Sequence, residues 1–482
     1  MLTQYIKLLV LASLFCILTS TMINAQVMKN YEIKKSFIKD EIIEDIEFIL
    51  NAVKDVHPNP FHSISKEELI QLKDSVINSL PDTLTRFEAF LAFRLVTAAY
   101  QEGHTNVNMY VVDKYIWQLK DIFPIKLDRY FEDKFRVEKN AYSEFDIETG
   151  DLILSINGIS AKEIHDATVR YYGNIPSYSI NSIISYFPFW LKMVNISPPF
   201  TIDYLRDGIR RQELITGIDY IYYDTTYQND HANYSNYSYQ VLENNIAYID
   251  FSAFVDLAKF KVFVKETFQD IKNRNIDGLI IDIRNNGGGN SDLGYELIDH
   301  FTIKSYDLFG DTQWKVSKRY KDLIIEIDKI APGKFFDMSE FHEYFQTKDD
   351  TILYISASDT LHQPGPNNLR FFGPVCVLIG PKVFSSADAF TDAIKTFQLC
   401  TLIGEPLEVP ANNYGDICKF LLPNTKFKFD TSVKYFLRLN GNKNDNTPIQ
   451  PDIHISQTSK DTKAGLDTVI EYAKQWIRDQ LD

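Results

Sequence analysis

The sequence has few cysteines, no cluster of basic residues and no apolar run long enough to cross a bilayer comfortably. Of the 4 Cys, Cys16 lies near the N-terminus, and Cys376, Cys400 and Cys418 remain as an odd number without the CxxC spacing of zinc sites. This pattern excludes a disulfide framework and predicts no metal site. The 50 Lys and Arg against 65 Asp and Glu give a formal charge of −15. Nucleic acid and anionic membrane surfaces are therefore not expected as partners.

The N-terminus has the pattern of an export signal. Lys7 precedes a short apolar core over residues 8–18, and the small residue Ala25 stands at the expected cleavage position. The apolar core is too short to span a bilayer. We therefore expect a signal peptide over residues 1–25 and a soluble, exported mature protein, periplasmic or secreted, without a transmembrane segment.

A helical unit is predicted for residues 26–112. Apolar side chains and capping residues mark three helices, over residues 40–56, 65–79 and 85–100. The third helix ends in Gln-Glu-Gly-His-Thr-Asn, where Gly103 stops the helix and places His104 on a loop.

The pattern becomes strand-like over residues 113–221, which predicts a separate β-rich domain. Its segment 150–158, Gly-Asp-Leu-Ile-Leu-Ser-Ile-Asn-Gly, resembles a segment of PDZ domains. Any other small β-rich domain is the alternative, because Ile-Asn-Gly turns are common. A PDZ fold would present a strand edge to an extended peptide. The polar, tyrosine-rich residues 222–240 are interpreted as a linker.

Strand and helix patterns alternate over residues 241–476, which is typical of an α/β domain with a largely parallel sheet. Three apolar runs are the expected buried strands: residues 245–251, 278–283 and 375–379. Cys376 within the last run is interpreted as a small core residue. Residues 305–370 are polar and irregular in pattern, and we expect them to be an insertion.

The stretch from residue 374 to residue 390 joins a buried strand to a helix. The strand ends at Gly380-Pro381, and apolar residues recur at helical spacing after Ser385. A hydroxyl on the first turn of such a helix lies beside unpaired backbone N–H groups, which can stabilise an oxyanion forming on a bound carbonyl. Ser385 is therefore a candidate nucleophile for acyl transfer. The alternative is that Ser385 or Ser386 is an ordinary N-cap.

A glycine-rich loop, Ile-Asp-Ile-Arg-Asn-Asn-Gly-Gly-Gly-Asn over residues 281–290, follows another predicted strand. Consecutive glycines let backbone N–H groups approach a ligand closely. The loop lacks the Gly-Lys-Ser/Thr ending of a P-loop and the spacing of a dinucleotide site. It fits one wall of an oxyanion hole better, and Asp282 with Arg284 is expected to brace it.

Three segments together, Asp282 to Gly289, Ser385-Ser-Ala-Asp388 and Ile403-Gly-Glu-Pro406, resemble the tail-specific (carboxyl-terminal processing) serine peptidases and their tricorn-core relatives. The resemblance covers most of the mature chain. It implies an α/β fold with a crotonase-like (ClpP-type) catalytic core, preceded by a helical unit and a PDZ-like domain. It also implies cleavage of peptides or unfolded protein ends without a cofactor.

Residue roles follow from the same resemblance. Ser385 matches the nucleophile, and the backbone amides of Ser386 and Gly288, chosen over Gly287, match the oxyanion donors. The commonest members use a lysine downstream of the serine as the base, but residues 407–416 contain none. Lys395 lies almost three helical turns beyond Ser385 and cannot reach its hydroxyl.

Tricorn-type members instead use a histidine from an N-terminal segment and an acid near the C-terminus, roles that the resemblance assigns to His104 and Asp445. Imidazole can take the serine proton at neutral pH while a carboxylate orients it. Asp445 lies in a turn-like stretch, so Glu405 or Asp416 are alternatives for the acid. Tyr414 is expected to line the pocket.

Two rival functions share this fold or chemistry. Retinoid-binding relatives are non-catalytic carriers, and the 14% of aromatic residues could line an apolar pocket. An esterase or amidase acting on small acyl substrates would use the same residues. Reaction with a fluorophosphonate separates the carrier from both hydrolases.

Overall fold

The computed structural model describes residues 34, 36–108, 120–173, 176–228, 235–333, 338–339, 341–357 and 361–481. The expected signal peptide, residues 1–25, lies outside the described residues. Within them, the chain is a mixed α/β protein with four sheets, one of them largely parallel. No helix in these segments is long and apolar enough to cross a membrane.

The three helices predicted near the N-terminus are confirmed. They are α1 (Lys39–Val56), α2 (Lys66–Ser79) and α3 (Arg86–Ala98), accompanied by the antiparallel pair β1 (Ser36–Ile38) and β2 (Thr83–Thr85). The side chains of Ser65 and Thr85 accept N–H bonds at the starts of α2 and α3, in the predicted capping boxes. Beyond α3 the chain passes through His104 to β3 (Asn106–Val107).

An antiparallel sheet occupies the middle of the chain, in the order β4-β5-β6-β8-β9 with β7 paired to β6. Its strands are β4 (Lys126–Phe131), β5 (Lys134–Lys139), β6 (Leu152–Ile156), β7 (Ile159–Ser160), β8 (Phe200–Arg206) and β9 (Ile209–Ile215). Three helices accompany it: α4 (Ala161–Val169), α5 (Pro176–Ser185) and α6 (Phe187–Met193). Every second residue of β8 is buried, as expected for a sheet with one packed face.

The segment interpreted as a linker carries regular structure. Residues on its N-terminal side belong to α7 (Tyr220–Gln228), and β10 (Tyr237–Leu242) follows. Tyr227 is buried, and its hydroxyl lies 2.9 Å from the carbonyl oxygen of Pro124. The buried Tyr227 ring therefore anchors this segment, although the composition of the segment is polar.

The central sheet has the order β10-β11-β12-β15-β16-β19, parallel except for β10. Its further strands are β11 (Ile246–Phe251), β12 (Gly278–Asp282), β15 (Val375–Ile379), β16 (Thr401–Gly404) and β19 (Ile453–His454). Helices α8 (Leu257–Arg274), α9 (Asp292–Ile298) and α12 (Ser386–Phe397) supply the main core against it, and α14 (Thr468–Leu481) contributes to a second, smaller core. Every residue of β12 and β15 is buried, Cys376 included, as their apolar runs predict.

A second sheet, ordered β14-β13-β18-β17, is built partly from the predicted insertion. Its strands are β13 (Thr312–Val316), β14 (Thr351–Ile355), β17 (Asn413–Leu421) and β18 (Lys428–Phe436). Residues 305–370 are therefore not irregular: they also form α10 (Lys318–Ile330) and α11 (His342–Gln346), and Trp314 and Tyr320 are buried in a small core. The short helix α13 (Ser459–Lys463) precedes α14.

Strand β3 attaches the N-terminal lobe to this second sheet. Val107 pairs with Phe429 and Asn106 with Asp430 on β18. Because β3 begins two residues after His104, this pairing places the histidine loop beside the second sheet. The same sheet reaches α12, since Asn413 at the start of β17 donates a hydrogen bond to Asp388.

Candidate active site

Ser385 stands at the junction of the central sheet and α12, in a conformation that few non-glycine residues adopt. Its φ is 58° and its ψ is −124°. Its backbone carbonyl accepts the N–H groups of Asp388 and Ala389, whereas its side chain makes no capping hydrogen bond. Strain of this kind persists only where the surroundings impose it. The N-cap interpretation of the Ser385 hydroxyl does not hold, because the hydroxyl points elsewhere.

The hydroxyl faces His104. Nε2 of His104 lies 3.2 Å from Oγ of Ser385. The His104 ring stacks on Phe384, with ring centroids 4.7 Å apart. The backbone carbonyl of Tyr414 accepts a hydrogen bond from the imidazole. With the other ring nitrogen donating to this carbonyl, Nε2 keeps a lone pair for the serine proton.

Gly103 makes this stacking possible. A Cβ at position 103 would lie 2.5 Å from the ring of Phe384. Phe384, which precedes Ser385, therefore contacts Gly103, which precedes His104. Only a glycine at position 103 lets these two loops approach so closely.

Burial lowers the pKa of His104, and the negative charges of Glu102 and Asp416 raise it in part, together with the Tyr414 carbonyl. The imidazole is thus neutral at pH 7 and can act as a base. The charge of Asp416 is itself neutralised, since its carboxylate lies 2.6 Å from Nζ of the buried Lys434.

Glu102 is also part of this site, although the sequence did not predict it as a site residue. It is buried, and burial alone would raise its pKa, but the imidazole N–H of His57 at 3.5 Å, the electrostatic influence of the His104 ring and a hydrogen bond from Thr105 outweigh that effect and lower its pKa to about 2. The hydroxyl of Ser432 also donates to it at 2.7 Å. Glu102 is thus a permanently ionised carboxylate beside His104.

His57, which directly precedes Pro58 in the sequence, is also part of this site. Its Nδ1 accepts the backbone N–H of Asn59 at 3.1 Å, so its proton is on Nε2, which lies 3.5 Å from the Glu102 carboxylate. The His57 ring is fully buried and packs against the rings of His62 and Tyr414. Its position directly before Pro58 gives no signal of this contact.

Asp445, expected to orient His104, is held elsewhere. Its carboxylate accepts a hydrogen bond from Nη1 of Arg438 at 2.6 Å and another from the backbone N–H of Thr447. The alternative Glu405 is paired with Arg129 at 2.6 Å. Both carboxylates thus satisfy cations of their own, and Glu102 and Asp416 are the acids whose charges act on His104.

The glycine loop lies against Ser385, as expected, but its hydrogen bonds differ from the expectation. The N–H of Gly288 donates to the Asn286 side chain at 2.8 Å, so it is not the free oxyanion donor that we expected. Gly289 lines the same cleft as Ser385 and Ser386. The Ser386 amide is at the first position of α12, where helix geometry provides no acceptor. As predicted, Arg284 pairs with Asp282, at 2.6 Å.

Replacing Gly288 with alanine is expected to lower kcat/KM for peptide hydrolysis by about 10²-fold, because the nucleophile would be displaced. Its φ is +93°, and an added Cβ would lie 2.8 Å from Cβ of Ser385 and 2.8 Å from N of Ser386. Gly287→Ala is the matched control, since a Cβ there meets nothing within 4 Å. Equal activities of the two purified variants in a steady-state assay would refute this role of Gly288.

Two clefts open at Ser385. One, of about 300 Å³, is lined by His62, Glu102, Tyr414 and Tyr435, so Tyr414 lines a pocket as predicted from the sequence. The other contains Gly289, Ser386 and the first turns of α12. No group of three or more His, Cys, Asp or Glu side chains among the described residues is arranged to hold a metal ion.

Residues 245–455 match the profile of peptidase family S41. The matched segment contains both the glycine-rich loop and Ser385. The expected kinship with tail-specific serine peptidases is thereby confirmed, and the chain is a serine peptidase, a hydrolase acting on peptide bonds. This S41 peptidase departs from the lysine-dependent members named above, since a histidine faces its serine.

Solved structures show the same fold over nearly the whole chain. The crystal structure of mature CPAF aligns with a TM-score of 0.63 and 13% identity, over 91% of this chain and 96% of that one. Mature CPAF complexed with lactacystin gives 0.61 and 13%, over 91% and 98%. Because these sequence identities are low, the similarity shows only that the fold is shared. No curated protein has a sequence that matches this S41 peptidase.

Proposed function

We propose that Ser385 and His104 cleave peptide bonds through an acyl-enzyme, and that the chain is an exported endopeptidase acting on peptides or unfolded protein ends. One observation carries this proposal: Nε2 of His104 is 3.2 Å from Oγ of Ser385, at a strained strand-to-helix junction. This distance is within proton-transfer reach.

In the first half of the reaction, Oγ of Ser385 forms a bond to the substrate carbonyl carbon while its proton moves to Nε2 of His104. The oxygen of the tetrahedral intermediate accepts hydrogen bonds from the backbone amides of Ser386 and Gly289, a pair that replaces the expected Ser386 and Gly288. The C–N bond then breaks as His104 returns the proton to the leaving amine.

In the second half of the reaction, water replaces Ser385 as the attacking group. His104 takes a proton from the water molecule, whose oxygen attacks the ester, and then returns the proton to Oγ of Ser385. The negative charge of Glu102 favours the imidazolium that forms in each half. Glu102 therefore supplies the negative charge that we expected of Asp445, while the Tyr414 carbonyl orients the His104 ring.

Glu102→Gln is expected to shift the acid limb of the kcat/KM profile to lower pH. Burial already lowers the pKa of His104, and Glu102 raises it; loss of that charge lowers the pKa further. The same loss destabilises the imidazolium in the transition state, so kcat at pH 7.5 should fall by about 10- to 100-fold. Glu405→Gln is the control, because Glu405 pairs with Arg129 away from His104. An acid limb that stays in place or rises in E102Q would contradict the assignment.

The remaining parts of the chain are assigned by their resemblance. We propose that residues 241–476 are a crotonase-like catalytic core and that the sheet within residues 113–221 is PDZ-like, with a strand edge for an extended peptide. Strand β9 is an edge strand of that sheet. Export rests on the signal-like residues 1–25.

Digestion of an unfolded protein such as reduced casein, with the products sequenced by mass spectrometry, tests the proposal. We expect internal cuts that a fluorophosphonate abolishes. Hydrolysis of small esters without any peptide cleavage would favour the esterase, and no reaction with either substrate or fluorophosphonate would favour the non-catalytic carrier.

A further inference from the structure

The cleft on the α12 side of Ser385 has apolar walls drawn from three parts of the chain. Its apolar lining consists of Leu308, Phe309, Ala389, Ile417, Phe436 and Leu437. Ala389 is on the turn of α12 that starts at Ser385, since its N–H donates to the Ser385 carbonyl at 3.1 Å. The cleft therefore opens directly at the nucleophile, where the side chain on the acyl side of the cleaved bond must lie if the proposed function holds.

Charged groups also reach this cleft, but all except one have a partner of opposite charge. Asp392 lies 3.3 Å from Arg438 and accepts the backbone N–H of Leu439. Asp416 is paired with Lys434 at 2.6 Å. The polar part of the lining is therefore close to electrically neutral apart from Asp388.

Asp388 has no cation of its own. Its side chain is buried, Oδ2 accepts a hydrogen bond from the Asn413 amide at 2.6 Å, and Oδ1 has no hydrogen-bond partner within the described segments. Burial, and next the charge of Asp392, raise the pKa of Asp388 far above its usual range. Since Oδ2 is occupied as an acceptor, the proton belongs on Oδ1, and the carboxyl is neutral.

We propose that this cleft is the S1 subsite and that it selects a bulky uncharged residue (phenylalanine, tyrosine, leucine or methionine) immediately before the cleaved bond. The walls bury such a side chain, and the buried, neutral Asp388 adds no charge beside it. This inference rests on the proposed function and names its substrate class.

Charged side chains fit the cleft poorly. A lysine or arginine would enter a site whose single unpaired acid is protonated, and the first step would be the costly ionisation of a buried carboxyl. A glutamate would have to leave water beside Asp388 and Asp392. Both would be desolvated against the apolar walls without a free counter-ion.

The test uses internally quenched peptides that differ only in the residue before the scissile bond: Phe, Tyr, Leu, Ala, Lys, Arg or Glu. The full-length mature protein and the variant Ala389→Leu are assayed, and each cut position is verified by mass spectrometry. We expect kcat/KM for Phe, Tyr and Leu to exceed that for Lys, Arg and Glu by about tenfold or more. Leucine at position 389 fills the cleft, so kcat/KM for the bulky substrates should fall about tenfold more than kcat/KM for the Ala substrate.

Preference for Lys or Arg would overturn the proposal by showing an ionised Asp388, and preference for Glu would overturn it in favour of recognition by Arg438. The S1 assignment would also be overturned if A389L lowered kcat/KM equally for all substrates, or for none of them. Fluorophosphonate labelling of Ser385 is measured on both proteins. Absent labelling of the wild type refutes the proposed function itself, whereas normal labelling with a flat substrate profile refutes only the subsite.

Discussion

Ser385→Ala should lower kcat/KM for peptide hydrolysis by about 10⁴-fold or more, because the variant lacks the hydroxyl that faces His104 and forms the acyl-enzyme. The neighbouring Ser386 hydroxyl is not a substitute, since it donates to the Gly289 carbonyl at 2.6 Å. The variant should fold normally, because the backbone bonds from Asp388 and Ala389 to the carbonyl of residue 385 do not involve the side chain.

The control is Ser456→Ala, at an exposed serine distant in sequence from the site. Initial rates with one quenched peptide and melting temperatures are compared for wild type, S385A and S456A. Activity of S385A within tenfold of wild type, at an unchanged melting temperature, would remove Ser385 from the mechanism.

His104→Gln should cost about 10³-fold in kcat/KM, with the loss in kcat rather than KM, since the base acts only in the chemical step. Glutamine retains hydrogen-bonding groups but cannot accept the serine proton at neutral pH. Lys434, the buried cation near Asp416, cannot replace it, because it is held in an ion pair at 2.6 Å.

His454→Gln is the control, because His454 is exposed and its Nε2 contacts only a neighbouring hydroxyl, that of Ser456. Comparison of kcat and KM for the two variants isolates the effect of the imidazole at position 104. A fall confined to KM in H104Q would assign His104 to binding instead of proton transfer.

Local structure was predictable where the pattern is strong. The all-apolar run Val375–Ile379 and the capping serine and threonine of α2 and α3 each specify their own element without help from distant residues. The helix stop expected at Gly103 comes earlier, because α3 ends at Ala98. The pairing of His104 with Ser385 was not derivable from spacing, as 281 positions separate them. Family resemblance alone brought them together, whereas the physical cause is the β3–β18 pairing and the fit of Gly103 against Phe384.

The predictions that differ from the structure also have physical explanations. The prediction for Asp445 rests on its position near the C-terminus, but its carboxylate accepts a hydrogen bond from Arg438 instead. Glu102 sits two residues before His104, a signal that was available, yet its burial depends on Thr105 and Ser432 closing around it. Residues 305–370 have an irregular sequence pattern because β13 is a short strand with polar residues at alternate positions. This strand is stabilised only by pairing with distant β18.

The central claim is that His104 activates Ser385 for attack. The most direct measurement is the rate of fluorophosphonate modification at pH 7.5, with the modified residue located by mass spectrometry, in wild type and H104Q. The account predicts a single adduct on Ser385 in the wild type and a rate lower by about 10³-fold in H104Q. An adduct on another residue, or equal rates in the two proteins, would contradict it.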